Sequence, residues 1–185
     1  MYKQIAVPFF FLLVVAFTFF AVYRMRKPKE QRLSSKRSFI SLLFLWYLCA
    51  VAALTIVPLR DSRTQNLPNH INLKPVLRSY HRFFDINNSG DPDAIRNFYG
   101  NFFGNIIMFI PLGIFLVWLY NKSLGKVALI GFLASVAIES IQYLNMFAGY
   151  YRYVDVDDVI LNTLGAIIGY WIYKKFLHAR RFTRL

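Results

Sequence analysis

Glu139 stands alone as the only charge inside an apolar run, Val127 to Ala148, and a lone carboxylate there asks for a reason. An acid at membrane depth costs several kcal/mol unless it is paired or protonated, and it marks a functional site by default. Gly131, Ser135 and Glu139 recur at four-residue steps, with Gln142 three further on, so one helix face carries a small and polar stripe. Downstream come Arg152, then Asp155, Asp157 and Asp158. Asn162 lies one helical turn beyond Asp158, and Gly165 and Gly169 continue that face. Upstream, Asn101 and Asn105 are one turn apart at the start of another apolar run.

Two chemistries fit these residue types. Arg152 is close enough in sequence to balance Glu139 or the aspartates, and such a cluster binds polar headgroups by charge-assisted hydrogen bonds. Alternatively, Asp155, Asp157 and Asp158 with Glu139 present hard oxygens of the kind that hold Mg²⁺ against a phosphate. Each residue also has a plain structural role. Glu139 and Asn105 can join helices by hydrogen bonds, and aspartates ahead of a helix cap it and suit its positive end. The candidate binding set is Asn105, Glu139, Gln142, Arg152, Asp155, Asp158 and Asn162. No metal or cofactor is expected: the three histidines, His70, His81 and His178, form no His-x-x-x-His pair, and no Gly-x-Ser-x-Gly element is present.

The elements that position these residues follow from hydropathy. Hydrophobic residues make up 57% of the 185-residue chain, more than a soluble domain carries. Five apolar runs stand out: Ile5 to Tyr23, Phe39 to Leu59, Phe102 to Tyr120, Val127 to Ala148 and the shorter Val159 to Tyr173. A helix of about 20 residues spans the roughly 30 Å hydrocarbon core, so the expected fold is an all-α polytopic membrane helix bundle of about five transmembrane helices. Pro111 is expected to kink its helix and free a carbonyl.

The net charge of +13 does not point to nucleic acid, because the basic residues cluster between apolar runs. Residues 24–38, Lys122 with Lys126, and the tail after Tyr173 together hold 14 of the 22 basic residues and only one of the nine acids. These segments alternate correctly to share the cytoplasmic side, which puts the N-terminus outside and the C-terminus inside. Residues 60–101 are then external. Val76, Leu77, Tyr80, Phe83 and Phe84 share one helical face, and a second amphipathic stretch starts at Asp91–Pro92 and leads into the third span. Both read as interfacial helices. The single cysteine, Cys49, allows no internal disulfide. The first run has no small-residue cleavage site after it and reads as a retained helix.

Four segments in register resemble the VanZ-like family of membrane proteins. Gly104-Asn105-Ile106-Ile107-Met108-Phe109-Ile110-Pro111-Leu112-Gly113 resembles its Asn-hydrophobic-Phe-x-Pro-x-Gly signature, and Glu139-Ser140-Ile141-Gln142 its Glu-x-x-Gln. Arg152 through Asp158 with Asn162, Gly165 and Gly169 resembles its Arg…Asp-x-Asp-Asp…Asn-x-x-Gly…Gly segment, and Ile71-Asn72-Leu73-Lys74-Pro75 its external Asn-Leu-x-Pro element. The resemblance covers about Ile71 to Tyr170. It implies a multipass cell-membrane protein, typically of Gram-positive bacteria, whose namesake lowers susceptibility to teicoplanin-type glycopeptides. The expected layout is therefore residues 1–59 as two helices around the basic loop 24–38, 60–177 as the VanZ-like core, and 178–185 as a basic tail.

The expected function is non-enzymatic: membrane lipids surround the bundle, and a lipid-linked cell-wall precursor or a lipoglycopeptide is recognised at the outer leaflet. The alternative is an enzyme that modifies a phosphorylated or acylated envelope lipid through Glu139 and Asp155–Asp158. A transporter or regulatory subunit ranks last, since no internal repeat is present.

Overall fold

A computed structural model describes residues 13–15, 17–20, 35–55, 71–72, 80, 83–86, 88, 90–147 and 154–177. The chain divides into two compact units, Met1–Asp61 and Ser62–Leu185. In the first, residues 13–15 and 17–20 are helical and Ser35–Thr55 forms helix α1. Its hydroxyls turn back on the helix: Ser41 donates to the Arg37 carbonyl at 2.9 Å and Thr55 to that of Val51 at 2.7 Å. This satisfies polar groups where no water is present.

The second unit is built on three helices, α2 (Pro92–Tyr120), α3 (Leu124–Phe147) and α4 (Val156–Ile172), the last continuing as a π-helical turn over Tyr173–Leu177. Asp91 caps α2 by accepting the Asp93 N–H at 3.0 Å, with Pro92 in the first turn, where its missing N–H costs nothing. The amphipathic stretch and the third span are thus one 29-residue helix, about 43 Å long, which exceeds the hydrocarbon core. The helix runs through Pro111 without ending there.

It stops at Asn121, in the left-handed conformation with φ of 49°. The Asn121 N–H reaches the Val117 carbonyl, the bond of the αL C-cap motif, and the Lys122 N–H reaches that of Leu116. Asparagine tolerates this conformation better than other non-glycine residues. The Val127 N–H then bonds the Ser123 carbonyl, so only three residues separate α2 from α3, and the contacts of each with α4 show that they run in opposite directions.

Helix α4 lies between the other two and packs against both, while α2 and α3 touch each other little. It runs parallel to α2: a Cβ at Gly165 would overlap the Ile106 carbonyl oxygen, one at Gly169 that of Ile110, and the Trp118 and Tyr173 rings meet at one end. The small-xxx-small spacing permits backbones to touch, and the glycine Cα–H groups point at carbonyl oxygens. Against α3 it runs antiparallel, with Gly131 on Ala166 and Ser135 on Asn162. Ile71–Asn72 (β1) pairs in parallel with Val154–Asp155 (β2), matching Ile71 to Val154 and Asn72 to Asp155.

Burial departs from that of a water-soluble bundle, because several polar groups lie inside an otherwise apolar core while many large apolar ones lie outside. Ser135, Glu139, Gln142, Asp157 and Asn162 are buried, while Ile107, Leu129, Leu133, Leu144, Phe147 and Ile160 face outward. Water would reverse this arrangement, whereas lipid permits it. Lys36–Thr55, Pro92–Tyr120 and Leu124–Asn145 are long and apolar enough to cross a membrane. Among the described residues three helices therefore meet that length, against the five expected. The run Ile5–Tyr23 lies mostly outside the described residues, and α4 has 17 residues before its π-helical turn.

Candidate functional site

The stripe that periodicity places on one face of α3 packs against α4. Ser135 is fully buried and accepts a hydrogen bond from the Asn162 amide nitrogen at 2.8 Å. Asn162 is 2% exposed, and its Oδ1 has no hydrogen-bond partner among the described residues. One turn along α3, Glu139 is 7% exposed and its Oε2 accepts the backbone N–H of Asp155 at 3.1 Å. Gln142 is buried three residues further. These contacts form a polar seam between α3 and α4, closed on its other side by the glycine contact of α4 with α2.

The aspartates divide their work. Asp155 caps α4, its Oδ1 accepting the Asp157 N–H at 3.0 Å. Asp157 is buried and Asp158 half-buried, though Asp158 is the one on the Asn162 face. Asp157 lies about 140° around the helix from Asn162, so periodicity leaves it out. The pairing of β1 with β2 brings a remote segment to this helix start, a long-range contact with no local signature.

The structure thus brings together Glu139, Gln142, Asp155 and Asn162, and adds Ser135 and Asp157 to the expected set. Ser135 was visible in the sequence as a member of the polar stripe. Asn105 is half-buried on α2, next to the Ile106 that packs on Gly165, and no hydrogen bond joins it to Ser135, Glu139 or Asn162. Arg152 lies outside the described residues. Among the described residues no three His, Cys, Asp or Glu side chains converge as a metal site would require.

An aromatic surface occupies the same end of the three helices. Phe83 approaches Phe84, Phe98 and Tyr99 with centroids 5.4, 6.2 and 6.5 Å away, and Phe98 and Phe102 stack at 6.4 Å. Tyr80 lies 4.7 Å from Phe84. Most of these rings are exposed, as are Tyr143 and Phe147 at the end of α3. Aromatic rings of this kind concentrate where hydrocarbon meets headgroups.

A protein-family model described as VanZ/LLP1 matches residues 44–178, reaching from inside α1 to one residue past the π-helical turn. The match extends beyond the Ile71–Tyr170 stretch that carries the motifs. No curated protein and no solved structure matches the chain.

Proposed function

The chain belongs to the VanZ/LLP1 family, and from that premise we propose that it is a non-enzymatic membrane protein which recognises a lipid-linked component of the cell envelope at the outer leaflet. The observation that carries this reading is the sharing of one end by the polar seam and the aromatic surface. A lipid-linked ligand has a polar head and an apolar chain, and this end offers both kinds of partner. Glu139, Gln142, Asp155, Asp158 and Asn162, with Asn105 and Arg152, would serve the head, while the rings around Phe83 and Phe98 would lie along the chain.

Five spans are proposed, with the N-terminus outside and the C-terminus in the cytoplasm. The basic segments support this orientation, since residues 24–38, Lys122, Lys126 and the tail would share the inner side. Two of the carboxylate oxygens that the alternative, a Mg²⁺-holding cluster, would use already accept backbone N–H groups. Asp155 Oδ1 is engaged in capping and Glu139 Oε2 in holding a backbone N–H.

The test is susceptibility in a Gram-positive host expressing the chain, with teicoplanin compared against a glycopeptide that lacks an acyl tail. Tolerance of the acylated drug alone, lost in Glu139→Ala and Arg152→Ala at unchanged protein levels, is the expected outcome. Undiminished tolerance in both variants would sink the site. No tolerance in the unaltered chain would remove lipoglycopeptides from the proposed ligands, and binding of purified protein to lipid-linked cell-wall precursor then decides the rest.

A further inference from the structure

We propose that the opposite end of the three-helix core binds anionic phospholipid headgroups through a collar of Lys122, Lys126, Lys174 and Lys175. The parallel α2 and α4 end together here, as the Trp118–Tyr173 ring contact at 6.2 Å shows, and α3 starts here because only three residues join it to α2. Lys122 is half-buried, and the other three lysines are exposed. Every described acid of this unit belongs to the other end: Asp85, Asp91 and Asp93 precede or open α2, Glu139 lies far along α3, and Asp155, Asp157 and Asp158 open α4.

Helix capping does not account for the collar. Lys122, Lys174 and Lys175 suit the negative ends of α2 and α4, but Lys126 sits in the first turn of α3, where the dipole repels a cation. No acid occupies that turn to offset it. An anion held between Lys126 and its neighbours removes the conflict.

The surrounding rings identify a lipid rather than a free phosphate. Tyr120, Trp171 and Phe176 are exposed at this end, and Lys174 and Lys175 lie 5.8 and 5.5 Å from the Tyr170 and Phe176 ring centroids. These are cation–π contacts of the ammonium groups, which hold the charges beside the rings that line the headgroup level. The apolar flanks of α2 and α4 then receive acyl chains, for which an inorganic anion has no counterpart.

The experiment uses the full chain with Trp46→Phe, reconstituted in phosphatidylcholine vesicles, so that emission comes from Trp118 and Trp171. Brominated phosphatidylglycerol and brominated phosphatidylcholine are added separately as quenchers at equal mole fraction. The expected result is at least about a fivefold preference for the anionic lipid, which a single lysine near an anionic surface would supply alone, falling with added salt. Exchanging Lys122 and Lys126, or Lys174 and Lys175, for Gln should each reduce the preference, and all four together should abolish it. The four-Arg variant should retain it and serves as the folding control. Equal quenching by the two lipids, or a preference that survives the fourfold Gln exchange, overturns the proposal. Competition by millimolar glycerol phosphate would also overturn it, in favour of a free phosphate. None of these outcomes depends on the acidic end.

Discussion

Glu139 and Asp155 are joined across the α3–α4 seam by a hydrogen bond from the backbone N–H of Asp155 to Glu139 Oε2, at 3.1 Å. Asp155 in turn holds the Asp157 N–H with its own carboxylate. A side chain of one helix therefore steadies the residue that caps the next. The acid within the apolar run of α3 has a definite structural task, and any ligand engaging Glu139 would be felt at the start of α4.

Replacing Glu139 by Gln keeps an acceptor for the Asp155 N–H, whereas Ala removes it. The Ala variant should lose about 1–3 kcal/mol of stability, the range for removing one partner of a buried hydrogen bond, and the Gln variant less. Unfolding in detergent, followed by tryptophan emission, measures both. Equal stability of the Ala variant and the unaltered protein would show that this bond contributes nothing.

Ser135 and Asn162 invite a double-mutant cycle, because the pair is buried and bonded at 2.8 Å. Ser135→Ala, Asn162→Ala and the double variant should give a coupling of about 0.6–2 kcal/mol, the range for polar pairs between membrane helices. Strict additivity would mean that the bond is absent in lipid.

Glycine positions divide by environment. Gly169→Val places a side chain on the Ile110 backbone and should cost at least the roughly 1–3 kcal/mol of an overpacked core, with separation of α2 from α4. A Cβ added at Gly104 would meet nothing within 4 Å, so Gly104→Ala should stabilise α2 by about 0.5–1 kcal/mol through helix propensity. Thermal unfolding of the two variants should move in opposite directions, and a Gly169→Val protein as stable as its parent would argue against the α2–α4 contact.

Asp155→Asn preserves a good N-cap and Asp155→Ala does not. The Ala variant should lose about 0.5–2 kcal/mol and exchange the first amides of α4 faster, while Asn should stay close to the parent. Hydrogen exchange at residues 156–159 reads this directly, and identical exchange in the Ala variant would dismiss the cap.

Much of the architecture was legible in the residues themselves. The spacing of Gly131, Ser135, Glu139 and Gln142 placed them on one face, and the same rule grouped Asn162 with Gly165 and Gly169. Both faces are buried against each other or against α2. Asp91–Pro92 marked the start of α2, which then proved continuous with the span after it. Such readings succeed because helical periodicity and capping depend on neighbours within a few residues.

The partner of each face was decided only by the tertiary structure. Nothing local says that Gly165 and Gly169 rest on Ile106 and Ile110 of a parallel helix, since small residues permit close approach without specifying what approaches. Periodicity favoured Asp158 for the site, yet Asp157 is the more buried. The pairing of Ile71–Asn72 with Val154–Asp155 joins segments far apart along the chain. Sequence alone determined which residues share a face and that the chain is built for lipid. Which faces meet depended on the packing of whole helices, because that choice is made by contacts between residues remote in sequence.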